Sequence, residues 1–527
     1  MTRVPLGAVV LVCLFGFALD ASAGKLNITY LGEGSVNPPV GVHSYSYFSR
    51  VTVTATPAPG WHFSHWEGNL AGSGASVRVR MNTNRRTTAV FMPNTPTADN
   101  ALARFCGTHD PNYSWTEVAS AAKFLYTEYV FAMTSQQWRD ATEVDRPLWE
   151  HEVQYIDYWF SAPECAILID GGSNPPDYDR PDAMFAIACA IIGMDFADVK
   201  QIPNEPLYFT DEIDRRRSED EILAYSIDKF LDTGDDTWPV HQAMTKAVVR
   251  AMDMIQERFI SQEDFMVLGA SKRGWTTWLT AAVDPRVDSF ASIVIDVLNM
   301  DEQVLNFWEA YGFYQPAVQD YVEFDIFCRL QEPNAVDCLK IIDPYEYIDD
   351  GKFTQPKYLI NATGDQFFLP DGSRFYWDDL PGPKWLRYLP NADHGIENNP
   401  DYQQEVLIDS VLAADTMMDN PNDMPVYSWT FQPDGSIRVQ CVDQPDAVRL
   451  WQGTNPNARD FRIEEVGEIF TSSPLSDQGG GVYVGYCPPP AQGWTAFLVE
   501  LDYGDIQYTT EVAITPDTLP FEGTACQ

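Results

Sequence analysis

Hydrophobic positions along the chain fall into three successive patterns. Between residues 25 and 92, short runs such as Val51-Thr-Val-Thr-Ala55, Ser76-Val-Arg-Val-Arg80 and Thr87-Thr-Ala-Val-Phe91 alternate with Gly, Pro and Asn turns. Period-two runs bounded by turn residues predict strands, so this segment reads as a small β module. Pro93-Asn-Thr-Pro-Thr97 is a turn-rich linker,. Beyond it come continuous apolar runs, Ala166–Asp170, Phe265–Leu268, Ser292–Asp296, Lys357–Asn361 and Trp385–Leu389, interleaved with helix-like stretches. The helices are expected at Ala183–Ile192, at Met244–Ile255 with apolar residues at 244, 247, 248, 251 and 255, and at Tyr402–Met417,. Apolar strands separated by helices predict a mostly parallel sheet buried on both faces, an α/β domain spanning 98–418. Asn420–Pro425 is a second linker, and from 426 to 527 short strands return at Ile437–Cys441, Val448–Trp451, Phe461–Ile463, Val482–Val484 and Trp494–Val499. These predict a C-terminal β-sandwich.

Length and charge narrow the picture. A chain of 527 residues exceeds one core and fits two or three domains,. A net charge of −42 repels polyanions, which excludes nucleic acid as a partner and favours solubility,. Arg3, the apolar run Val4–Leu19 and the small residues Ala21-Ser22-Ala23 read as an export leader at 1–23 cleaved after Ala23, with an uncleaved anchor as the alternative,. The mature chain is expected to be secreted, periplasmic or at the cell surface, with no later membrane span. Eight Cys follow the leader, an even number that permits disulfides in an exported protein,. Cys328 and Cys338 bracket a short polar loop and are the expected pair, while Cys165 and Cys189 read as buried thiols,. No Cys spacing resembles a zinc site. His62 and His65 are three apart, but on a strand they would face opposite sides and read as surface or turn histidines,. No metal or cofactor is implied.

The chemistry gathers around Val267-Leu-Gly-Ala-Ser-Lys-Arg-Gly274, where a strand runs through Ser271 straight into a helix. That is the context of a nucleophile elbow, which needs small neighbours such as Gly269, Ala270 and Gly274. The usual elbow has Gly two residues after Ser, whereas Arg273 stands there and Gly274 comes third. An α/β-hydrolase then needs an acid and a His downstream, each after a strand. The one His after Ser271 is His394, directly beyond the strand ending at Leu389, and Asp365 ends the preceding strand region. Asp296 is the alternative acid. The Lys272 N–H, next to the nucleophile, is the first oxyanion donor expected, and Gly171 and Gly172 in the Gly171-Gly-Ser-Asn174 loop are candidates for the second,. Residues 299–350 form an insertion rich in aromatics (Trp308, Tyr311, Phe313, Tyr314, Tyr321, Phe324), expected as a lid or as core packing. Arg215-Arg-Arg217 reads as a solvated or ion-paired turn.

Several motifs carry a resemblance. Gln201-Ile-Pro-Asn204, Gly269-Ala-Ser-Lys-Arg-Gly-Trp275, Asp284-Pro-Arg-Val287, Gly364-Asp-Gln-Phe-Phe-Leu-Pro-Asp371 and Pro390-Asn-Ala-Asp-His394 occur in one order, with Asn455-Pro-Asn-Ala-Arg-Asp-Phe461 in the tail. Together they resemble the PhoPQ-activated pathogenicity-related family, which implies an exported α/β-hydrolase-like protein. Gly34-Ser-Val-Asn-Pro38, Gly60-Trp-His-Phe63 and Trp66-Glu-Gly68 are similar to the divergent InlB B-repeat of bacterial surface proteins, a resemblance that implies a β-grasp-like spacer or adhesion unit with a cell-surface contact. The elbow alone is similar to that of glucuronoyl esterases, with Lys272 at the basic position. Two readings follow: a secreted serine hydrolase acting on a small-molecule, glycan or peptide ester or amide, and a non-enzymatic signalling or surface-binding protein on the same scaffold.

Overall fold

Nine strands make the central sheet of the computed structural model: β1 (Ser114–Ala122), β2 (Tyr126–Gln137), β3 (Leu148–Tyr158), β4 (Glu164–Ile169), β5 (Asp195–Val199), β6 (Asp264–Ala270), β7 (Val287–Ile293), β8 (Lys357–Ala362) and β9 (Lys384–Leu389). The structure describes residues 24–524 apart from 47–48, 71–73, 82, 94–100, 182–192, 331, 397–399 and 505. The expected leader, and the expected helix at Ala183–Ile192 with Cys189, lie outside the described residues.

Across the sheet the order is β9-β8-β7-β6-β4-β5-β3-β2-β1. Strands β4 to β9 run parallel, and β1, β2 and β3 pair antiparallel. Growth of the sheet reverses at β4, which pairs β5 on one side and β6 on the other. The carboxyl ends of the strands open a crevice at such a switch point, where ligands bind. This is an α/β-hydrolase sheet.

Six helices matter for the site: α1 (Asp220–Thr233), α2 (Val240–Arg258), α3 (Lys272–Val283), α4 (Met300–Tyr311), α5 (Pro333–Ile342) and α6 (Pro400–Asp419). Successive residues of β6 point to opposite faces. Phe265 and Val267 join Val248 of α2 and Trp278 of α3, whereas Met266 and Leu268 join Val406 and Ala413 of α6. That double burial is why the parallel strands read as unbroken apolar runs.

Helix α2 is buried on nearly every side, including the polar residues Lys246, Arg250, Asp253 and Gln256. Ion pairs with the N-terminal module satisfy Asp253 and Arg250, while Lys246 and Gln256 donate to the backbone carbonyls of Thr108 and Gln262. Arg86 meets Asp253 at 2.8 Å and Glu67 meets Arg250 at 2.8 Å, while Arg286 reaches Asp253 at 2.9 Å.

The module itself holds a four-stranded sheet, in which Gly24–Leu31 and Arg85–Pro93 pair in parallel, and a three-stranded sheet. Leu26, Val53, Trp66 and Phe91 form its core. At the other end of the chain, two antiparallel sheets close over Ile437, Val439, Leu450 and Val499. No helix among the described residues is long and apolar enough to cross a membrane.

Three expectations are corrected. The strand expected at Ser292–Asp296 begins at Val287 and ends at Ile293, which frees Asp296 from the sheet. Phe461–Ile463 is not a strand; the Asp460 carboxylate accepts the Arg462 backbone N–H and its guanidinium. Such local closure competes with ladder bonding, and a short helix, Ile463–Val466, follows,. Cys338 is a free, buried thiol facing the apolar side of α5, so it does not bond Cys328. Cys165 is buried in β4 as expected.

Candidate active site

Ser271 makes the turn between β6 and α3 with φ 55° and ψ −130°, a backbone region that costs energy for any residue with a Cβ,. Its neighbours must be small because the turn folds back on itself. A Cβ on Gly269 would lie 2.6 Å from the Arg273 carbonyl carbon and oxygen, and one on Gly274 would lie 2.9 Å from the Gly269 carbonyl oxygen. The tight place is therefore the third residue after Ser, which explains the displaced glycine. Arg273 fits second because its side chain leaves the turn, donating to the Ile202 carbonyl at 2.6 Å and to both Glu219 oxygens at 2.8 Å.

Strand β8 delivers Asp365 and β9 delivers His394 to the same edge. The Ser271 Oγ lies 2.8 Å from His394 Nε2. On the other side of the ring, Nδ1 lies 2.8 Å from Asp365 Oδ2 and 3.0 Å from Oδ1. Asp365 is buried, and its Oδ1 also accepts the backbone N–H groups of Phe367 and Phe368 at 2.7 and 3.2 Å. The Gln366 side chain accepts the His394 backbone N–H at 2.9 Å, and the Phe367 ring covers the imidazole at 4.3 Å.

The C-terminal domain braces these loops. Ile463 N–H donates to the Gly364 carbonyl, the Asn391 amide bonds both N–H and C=O of Phe470, and buried Arg459 pairs with Asp371 at 2.5 Å. Its strand Ile506–Thr509 lies beside β9, where Thr509 Oγ1 accepts the Tyr388 N–H at 2.9 Å.

A PhoPQ-activated pathogenicity-related protein model matches residues 102–462. The chain belongs to that family. Autocrine proliferation repressor protein A of Dictyostelium discoideum is 33% identical over 451 residues, 78% of this chain and 90% of that protein. Residues 25–95 match the divergent InlB B-repeat domain. Among solved structures, the chain is similar to acetyl xylan esterase 1 from Thermoanaerobacterium, with TM-score 0.42 and 16% identity over 60% of this chain and 92% of that one. It is also similar to S-formylglutathione hydrolase from Agrobacterium tumefaciens, with TM-score 0.34 and 13% identity over 56% and 99%.

In this member of the family, the other candidate residues are placed as follows. Asp296 lies fully buried beside the cavity, where Tyr388 donates to its Oδ2 at 3.2 Å, and it has no bond to His394. Burial pushes its carboxyl up to about 7. The backbone of Lys272 opens α3 next to Ser271, while its ammonium is held by Glu219 at 2.7 Å and Asp220 at 3.1 Å. Burial opposes ionisation of Glu219, but Arg273 and Lys272 outweigh it and hold that carboxyl low. Gly171 packs against the Arg273 guanidinium, and its N–H donates to the Asp170 carboxylate at 2.7 Å. Gly172 has φ 116° and faces the Gln201 side chain. The structure thus brings Ser271, His394, Asp365 and the Lys272 backbone together, and it commits the Gly171 N–H elsewhere.

A narrow apolar cavity of about 70 Å³ opens beside Ser271, lined among others by Trp275, Val304, Phe307, Phe327, Leu339 and Phe368. Of the six insertion aromatics considered in the sequence, only Tyr321 lines it, with its hydroxyl donating to Asp220. Trp308 instead bonds Thr524, and Tyr311 stacks on Phe313. Phe367 and Phe368 went unnoticed as pocket residues, although they follow Asp365 directly in the chain. The Arg215–Arg217 turn is ion-paired: Arg215 meets Glu323 and buried Arg217 meets Glu212 at 2.6 Å.

Proposed function

We propose that this chain is an exported serine hydrolase that cleaves an ester or amide through Ser271, His394 and Asp365. The observation that carries the reading is the unbroken hydrogen-bond relay from Asp365 through His394 to the Ser271 Oγ, with Nδ1 and Nε2 each 2.8 Å from its partner. His394 takes the Ser271 proton as the oxygen attacks the carbonyl, and Asp365 fixes the ring tautomer and stabilises the imidazolium. The Lys272 N–H, at the start of α3, is the oxyanion donor adjacent to the nucleophile, where the helix N-terminus adds a favourable dipole. Collapse of the tetrahedral intermediate expels the alcohol or amine with the proton from His394, and water repeats the cycle to free the acid.

The cavity argues for a short apolar or aromatic acyl group, because about 70 Å³ holds only a few water-sized volumes,. The leader at 1–23 supports export,.

A second reading, a non-catalytic signalling protein, is favoured by the name of the Dictyostelium relative. A fluorophosphonate probe separates the two. Labelling of the wild type that disappears in Ser271→Ala supports the hydrolase, and a wild type that stays unlabelled while folded rejects it.

A further inference from the structure

At the junction of the N-terminal module and the hydrolase domain, two strand residues and one loop residue aim ligand atoms at one point. His65 and Glu67 belong to the module strand Trp61–Gly68, and His109 follows the helix Ala101–Gly107 of the hydrolase domain. A β-bulge between Phe63 and His65 shifts the register, so that His62, His65 and Glu67, opposite Met92, Val90 and Thr88, share one face; this corrects the expectation that the two histidines face opposite sides of the strand,. The His65 Nε2 lies 3.3 Å from Glu67 Oε1, the His109 Nδ1 lies 3.7 Å from the same oxygen, and all three ligand atoms fall within 4.8 Å of one another. Ligands about 2.0–2.1 Å from a tetrahedral zinc sit roughly 3.3–3.4 Å apart, so the His65–Glu67 separation matches a coordination edge and the His109–Glu67 separation exceeds one by about 0.3 Å,.

The surroundings are arranged as a metal site requires. Ser64 Oγ lies 2.9 Å from His65 Nδ1, so it fixes the ring and leaves Nε2 to face the cluster,. Arg250 occupies Glu67 Oε2 at 2.8 Å, so Oε1 is the oxygen turned toward the two imidazoles. The cluster borders a cavity of about 400 Å³ that Asp110, Asp253 and Glu257 also line. Exposed His109 leaves that side open to solvent for a water ligand.

We propose that His65, Glu67 and His109 bind one zinc-class divalent cation that clamps the N-terminal β module to the hydrolase domain. Two imidazoles and one carboxylate are a borderline donor set that favours zinc over calcium or magnesium, and a water completes the tetrahedron. The role is structural: the cation joins chain segments already linked by the Arg86–Asp253 and Arg250–Glu67 pairs.

The test uses the full mature chain, with zinc alone titrated calorimetrically and cobalt(II) as an optical reporter. One zinc per chain is expected, with tetrahedral cobalt bands and a rise in Tm on zinc addition. His109→Ala, at an exposed position that folding tolerates, should weaken binding on the order of 100-fold and abolish the Tm rise. His65→Gln should do the same, and Ser271→Ala should leave zinc binding unchanged. Wild type that takes up no zinc, zinc uptake unaffected by both histidine changes, or cobalt that stays octahedral would overturn the proposal.

Discussion

Replacing Asp365 by Asn tests the relay most sharply, because the structure dictates how the new amide must sit. Asp365 Oδ1 accepts the backbone N–H groups of Phe367 and Phe368, so the oxygen of an Asn would stay on that side and its NH₂ would take the Oδ2 place, 2.8 Å from His394 Nδ1. An amide N–H pointing at Nδ1 makes that nitrogen an acceptor and puts the ring proton on Nε2. Nε2 then faces the Ser271 Oγ as a donor and cannot take its proton. The wrong tautomer costs about 10⁴ in kcat in a working Ser-His-Asp triad, close to 5.5 kcal/mol of barrier at about 1.36 kcal/mol per decade. The assay is the second-order rate of fluorophosphonate labelling, together with hydrolysis of p-nitrophenyl acetate. Asp296→Asn serves as the control, since Asp296 has no bond to the ring and should cost less than about 10-fold. If Asp296→Asn were the more damaging change, or if Asp365→Asn lost less than about 10-fold, the tautomer argument would fail.

Further outcomes follow from the same contacts. Asp253→Ala leaves Arg86, Arg250 and Arg286 with one carboxylate fewer in a buried cluster, and should cost about 3–5 kcal/mol in urea denaturation; a loss under about 1 kcal/mol would refute the network,. Gly269→Ala drives a Cβ to 2.6 Å from the Arg273 backbone and should cost about 1–3 kcal/mol and remove Ser271 labelling, both read on one protein preparation,. Buried His241 has neither ring nitrogen bonded, and burial pushes its pKa from the ordinary 6.5 down to about 3. The unfolded chain therefore binds a proton as pH falls below 6.5 while the folded one does not, so its stabilising contribution is complete above that pH and lost toward pH 3,. His241→Phe should shrink the stability difference between about pH 7 and 5 by about 2 kcal/mol, and an unchanged pH slope would contradict the burial argument.

Local pattern was enough for the elements that function most depends on. Parallel strands buried on both faces appear as runs such as Phe265-Met-Val-Leu268 because neighbours on both sides are apolar, and the order of Ser271, Asp365 and His394 after three such strands followed from chain order. The antiparallel strands β1 to β3 escaped notice, since their exposed and polar positions break any such run. The displaced elbow glycine has a tertiary cause that sequence does not display: a Cβ on Gly274 would meet the Gly269 carbonyl oxygen. Likewise, helix α2 announced one apolar stripe, and the N-terminal module, arriving from more than a hundred residues away, together with Arg286 explains why its charged face is buried too. Sequence by itself determined the fold class, the family and which residues were available for chemistry, because these depend on periodicity and order. Tertiary structure alone decided which acid meets the histidine, which aromatics line the cavity and which histidines meet Glu67, because each depends on where distant segments touch.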